Sequence, residues 1–290
     1  MAVLNHRLPW GAAILAALAL SACSPSREEP SYELKGQILA IRPEMHEVLI
    51  KHGDIQGFMP GMTMPFKLRD ERLLSGKAAG DLVTARLVVG REEAWLSALE
   101  KTGTAPLEEK AEFPVASFVE PVHAGSAAPD ATLTDQTGQP LTISAWRDSA
   151  VVITFIYIQC PLPQFCPLMD RRFAEVQRLT QDDAALSRHV RLLSVSFDPL
   201  HDTPEAMTVH AAKVGADPSI WRFATAAPAT VDPFAAAFGV NVIREPDGTI
   251  THNLRTAVIA PGGRVVNVYD GAEWTAAQVV ADLRAALSTR

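Results

Sequence analysis

Two units of different class are expected from this chain: a small all-β unit over residues 32–102 and an α/β unit over residues 129–290. Three observations predict them. Residues 32–102 hold short β-branched or alternating runs cut by Gly, Pro and Asp turns. Residues 151–158 form a continuous apolar run, the pattern of a strand buried on both faces. From Pro129 onward strand-like and helix-like periods alternate, as in a sheet with helices on both faces. With 290 residues, 48% apolar and 20% charged, the chain can build cores of this kind.

Taken in order, strands are expected over residues 32–41, 46–52, 62–68, 82–89 and 95–101. Five short strands in so short a segment suit a small barrel or sandwich, an OB-type barrel among them. Residues 103–128 are rich in Pro, Ala and Glu without a sustained period and read as a linker that partly packs. Beyond them, residues 151–158 and 190–197 read as buried strands and residues 169–179 as a helix opening near Pro167. Asp202, Pro204 and Glu205 supply the polar cap, early proline and early acid of a helix start. Residues 253–260 and 264–268, joined by Pro-Gly-Gly, make a hairpin, and residues 274–289 a last helix.

Lys+Arg number 26 against 33 Asp+Glu, a net charge of −7 that offers no basic field for a nucleic-acid backbone. Only three cysteines occur, too few for a disulfide-rich scaffold, so each needs its own explanation. Arg7 followed by an uncharged apolar run over residues 11–20 reads as a secretory signal, since spanning a bilayer takes about twenty residues. Leu20-Ser21-Ala22-Cys23 resembles a bacterial lipobox, which implies a signal over residues 1–22, a lipid anchor on Cys23 and a tether over residues 23–31. Losing residues 1–22 removes one Arg and no acid, leaving a side-chain balance of −8. The mature protein is expected in the cell envelope, membrane-tethered, with its other two cysteines outside the reducing cytosol.

Cys160 and Cys166 directly follow the apolar strand, where an open α/β sheet places its ligand crevice. The helix opening at Pro167 would favour a thiolate there, and thiolates bind metals or exchange disulfides. A structural disulfide would close only a short loop, a weak use of a crosslink. Three ordered segments carry a resemblance: VVITFIYIQCPLPQFCPLMDRRF, LLSVSFDPLHDTPE and ITHNLRTAVIAPGGRVV. Together they resemble the Sco/SenC family of thioredoxin-like copper proteins, across residues 123–290. The resemblance implies a thioredoxin-like fold and copper held by Cys160, Cys166 and His252. The family spaces its cysteines by three residues, whereas five separate them here.

The donor set is consistent with that implication, since two thiolates and an imidazole suit copper in either oxidation state. A peroxidase would need a threonine three residues before the first cysteine, and Tyr157 stands there. His123, His189, His201 and His210 have no partner at ligand spacing and are expected in solvent, and Asp198 and Asp202 are expected to serve the turn and cap.

Met59, Met62 and Met64 concentrate three of seven methionines in six positions. Met62 and Met64, two apart, share one face of a strand. Thioethers are soft ligands that favour Cu(I), though a methionine stripe also fills cores. The segment from His52 to Phe66 resembles the small periplasmic copper-binding β-barrel of copper-efflux systems. That implies a Cu(I) site of His52, Met62 and Met64, with Met59 where the family has a capping tryptophan.

The leading expectation is a lipid-anchored copper metallochaperone passing copper between a Met/His and a Cys/Cys/His site. The resemblance implies an acceptor in the dinuclear copper site of cytochrome c oxidase, loaded directly or by reduction of its cysteines. The alternatives are a periplasmic thiol-disulfide oxidoreductase using Cys160 and Cys166, and a copper-sequestering tolerance protein.

Overall fold

The computed structural model of the chain describes residues 29–107, 120–244 and 250–288. The signal region, Cys23 and residues 108–119 of the 103–128 segment lie outside the described residues. Strands β1 (Ser31–Arg42), β2 (Glu47–His52), β3 (Met62–Leu68), β4 (Asp81–Val89) and β5 (Ala94–Thr104) close into a barrel in the order β1-β2-β3-β5-β4. Closure is made by a short parallel pairing, Lys67 with Trp95 and Leu68 with Leu96. Alternation decides the inside: Leu34, Ile38, Val48, Ile50, Met64, Phe66, Leu68, Val83, Ala85 and Leu87 are buried. Gly36 sits where β1 crosses β2 so closely that an added Cβ would fall 2.5 Å from the Lys51 carbonyl oxygen.

The second unit is a mixed sheet. Its strands are β6 (Leu133–Asp135), β7 (Pro140–Leu141), β8 (Ala150–Ile156), β9 (Val190–Ser196), β10 (Trp221–Thr225), β13 (Arg255–Ile259) and β14 (Val265–Asp270), ordered β14-β13-β8-β9-β10-β6-β7. The central β8, β9 and β10 run parallel. Helices α1 (Cys166–Gln181), α2 (Pro204–Val214) and α4 (Ala276–Ser288) bury Phe173, Met207 and Leu283 in one apolar cluster. Helix α3 (Pro228–Ala237) buries Val231 and Phe234 in another, with β8 contributing alternate residues to each. Helices therefore lie on both faces, and the expected pairing of an all-β barrel with an α/β thioredoxin-like unit is what forms.

Several local expectations need correction. Strand β8 ends at Ile156, not at 158, because the Ile158 N–H leaves the sheet for the Asp202 carboxylate 3.0 Å away. His252 does not sit in a loop before a long strand. It ends β12 (Ile250–His252), which pairs with β11 (Val242–Arg244) as a separate ribbon, and β13 starts only at Arg255. Both ends of the expected linker segment join folded elements: β5 runs to Thr104, and buried Val122 donates its N–H to the Ala237 carbonyl.

Candidate metal centres

In the barrel, β2 and β3 pair antiparallel with His52 opposite Met62 and Ile50 opposite Met64. Directly opposed residues point to the same side, and Met64, two positions on, shares it. Gly61 makes this register possible. A Cβ there would meet the His52 carbonyl oxygen at 2.8 Å, and the Gly61 N–H is held by the Asp54 carboxylate at 2.8 Å.

His52 is 4% exposed and Met64 6%, while Met62 is half-buried towards the surface. The His52 ring packs edge-on against Phe66 at 5.5 Å. Its Nδ1 lies 2.8 Å from the Gly53 carbonyl oxygen, an acceptor that assigns the ring proton to Nδ1. That leaves Nε2 with a lone pair and no partner, buried. Burial also lowers the His52 pKa, keeping the ring neutral. An orphaned buried acceptor costs about 1–3 kcal/mol unless something meets it, and a soft cation beside two thioethers would. Met59 is 5% exposed and fixed by backbone bonds to Ile55, among the residues of the barrel core.

In the α/β unit, Cys160 and Cys166 are free thiols, both buried, Cys160 in the loop between β8 and α1 and Cys166 the first residue of α1. Their side chains hydrogen-bond, and this pair divides its acidity. Cys160 is pulled down to about 7, first by the Cys166 side chain, then by the Leu162 and Cys166 N–H groups and the Tyr157 hydroxyl. Burial pushes the Cys166 thiol well above the ordinary range. The nucleophile-prone sulfur is therefore Cys160, and the reserve thiol is Cys166.

His252 repeats the arrangement of His52: its Nδ1 lies 3.1 Å from the carbonyl oxygen of the next residue, Asn253, an acceptor that assigns the ring proton to Nδ1 and leaves the lone pair on Nε2. Its pKa is lowered to about 4 by burial. The imidazole packs tilted against Phe197 at 4.5 Å and meets Tyr157 edge-on at 5.7 Å. Tyr157 therefore touches both the Cys160 sulfur and the His252 ring. Among the described residues no three His, Cys, Asp or Glu side chains lie close enough to share a metal ion. The structure brings the two sulfurs together, and both Cys160 and the His252 ring adjoin Tyr157.

Other residues that sequence reasoning undervalued support this face. Asp202 does not cap α2; Thr203 does, its hydroxyl accepting from Ala206 N–H at 3.3 Å. Asp202 is buried, accepts the Ser196 hydroxyl at 2.5 Å and holds the Ile158 N–H. It ties the end of β9 to the loop carrying Cys160. His210 is not in solvent: it is buried against the Asp170 carboxylate at 2.9 Å, one helical turn past Cys166. His201 pairs with Asp198 at 2.8 Å near the surface. The sequence offered no signal for the Asp202–Ile158 and His210–Asp170 pairs, because their partners come from other elements.

A mixed sheet with a dithiol at the end of its central strand, joined to a small barrel with a His/Met cluster, defines a thioredoxin-like protein carrying an extra β-barrel unit. Residues 122–288 match the SCO1/SenC family model, and residues 31–101 match that of the copper binding periplasmic protein CusF. The chain belongs to the SCO1/SenC family, with a CusF-like unit ahead of it. The SCO1 protein homolog of Bacillus subtilis strain 168 is 24% identical over 159 residues, covering 53% of this chain and 80% of the relative. A SCO1/SenC family lipoprotein from Bacillus anthracis strain Ames superposes with a TM-score of 0.50 at 22% identity, covering 57% of this chain and 96% of that one. BsSco, a member of the Sco family of cytochrome c oxidase assembly proteins in which a disulfide switch is identified, gives 0.50 at 22% identity over 59% and 98%. These likenesses establish the fold, and copper is the metal that the CusF description names.

Proposed function

We propose that this chain is an envelope copper metallochaperone with two cargo sites: His52/Met62/Met64 in the barrel and, in the thioredoxin-like unit, Cys160 and Cys166, which His252 joins when copper binds. The observation that carries the reading is the buried Nε2 of His52, unpartnered, on a ring whose other nitrogen is committed to Gly53 and whose cross-strand neighbour is Met62. A redox enzyme alone has no use for that arrangement. Within this reading residues 1–22 are a signal, Cys23 carries the lipid, and units over residues 32–102 and 129–290 are joined by residues 103–128. The acceptor is the dinuclear copper site of cytochrome c oxidase, a client that the family membership of BsSco makes reasonable.

The reduced mature chain is expected to bind about two Cu(I). Cys160→Ser with His252→Ala should abolish one, and Met62→Ala with Met64→Ala the other, as read by anaerobic metal stoichiometry. Failure to bind any Cu(I) at micromolar metal overturns the reading.

The free, buried dithiol at the start of α1 favours a second reading, thiol-disulfide exchange. The Cys160 thiolate would attack a client disulfide, forming a mixed disulfide and releasing one client thiolate. Cys166, deprotonated in turn, would displace the second client sulfur, leaving the client reduced and this pair oxidised. Turnover that survives His252→Ala supports this reading over copper delivery.

A further inference from the structure

The loop between the cysteines is held by the barrel. Ala94, the first residue of β5, donates its N–H to the Gln164 side-chain oxygen at 3.0 Å, and Gln164 lies between Cys160 and Cys166. A second tie joins the other ligand-bearing segments: the Thr251 hydroxyl, next to His252, donates to the carbonyl oxygen of Thr63, between Met62 and Met64, at 3.4 Å. Strands β3 and β12 are in contact there. The apolar interior is continuous across the same junction, since Cys160, Leu162 and Cys166 share one buried cluster with Met64, Phe66 and Leu96 of the barrel. Loops normally run exposed over a surface, yet Leu162 and Pro163 are buried and Gln164 half-buried. The loop is braced from below as well, by Arg171 donating to the Pro163 carbonyl at 2.8 Å.

We propose that the loop between the two cysteines is a docking element for this chain's own barrel, which seats on the Cys160/Cys166/His252 face and exchanges copper with it in cis. The five-residue spacing gives room for Gln164 to project to the barrel while both sulfurs remain paired. Seated there, the barrel also covers the face, so an outside acceptor must displace it. A small polar tie plus a modest apolar seam is the composition of an interdomain contact that opens and closes. Tethering supplies a high effective concentration, so exchange needs no collision between chains.

This inference rests on the copper reading, and the test separates their failures. In the full mature chain with Cys160 and Cys166 oxidised to the disulfide, Cu(I) is loaded on the barrel. A phosphine, converted to its oxide with oxygen from water and present at a concentration where reduction is not rate-limiting, then reduces the disulfide to two thiols, and the appearance of thiolate–Cu(I) absorbance is followed. First-order transfer, unchanged on diluting the protein, is expected. Gln164→Ala with Thr251→Val should slow it roughly tenfold or more, the loss of most of the tethering advantage. The same variant should raise hydrogen exchange at Ala94.

Gln164→Glu keeps an acceptor oxygen for the Ala94 N–H and should transfer and protect like the parent chain. It also separates loss of docking from loss of folding. A rate proportional to protein concentration, or a double variant with unchanged rate and exchange, overturns the proposal while leaving the copper reading intact. Absence of Cu(I) on the barrel defeats the copper reading itself.

Discussion

His52 and His252 are held by one device, an Nδ1–H committed to the carbonyl of the following residue, and this decides their chemistry. A neutral ring with Nε2 free is a ligand; a protonated ring is not. The cost of burying His252 shows in its pH dependence. Its folded pKa is about 4 against an ordinary 6.5, so between these values the unfolded chain binds more protons and stability rises with pH. The metal-free protein is therefore expected to hold its Tm above pH 6.5 and lose it progressively towards pH 4, and His252→Gln should flatten that decline in a thermal-melt series. Tyr157→Phe removes a donor to the Cys160 sulfur, so Cys160 should become less acid, read as an upward shift of its thiolate absorbance titration. Cys160, Cys166 and the methionines were legible because they are rare and clustered along the chain, and His252 through the resemblance of its segment. Tyr157 was not, since its role depends on what faces it.

At the scale of elements, each site is built by a particular junction. The barrel site depends on β3 lying against the end of β2, which Gly61 permits. Gly61→Ala should drive a methyl into the His52 carbonyl, costing about 1–3 kcal/mol and weakening Cu(I) affinity, measured by denaturant unfolding and competitive Cu(I) titration. The dithiol loop depends on Asp202. Asp202→Ala leaves the Ile158 N–H and Ser196 hydroxyl without their acceptor, an expected loss of about 2–3 kcal/mol by the same unfolding measurement. Barrel strands were readable because one face of each is apolar, and β8 and β9 because they are rich in buried β-branched and aliphatic residues. Helix α3 was not read, as Pro233 inside it and several alanines blur its period. The three-residue strands β11 and β12 are too short for any period to show, yet β12 carries His252.

Across the whole molecule, the two units share a continuous apolar cluster and two polar ties, and all of these fall beside the candidate ligands. No described helix is long and apolar enough to cross a membrane. What the sequence determined by itself was the kind of chemistry and the class of each unit. Ligand identity is written in residue type, and strand or helix in the period of apolar side chains, both local properties. Which groups meet was decided only by the tertiary structure. Gln164 finds Ala94 across 70 positions, Ile158 finds Asp202 across 44, and Thr251 finds Thr63 across 188. Such pairings leave no local trace, because they come from the burial of surfaces that the chain brings together only once it has folded.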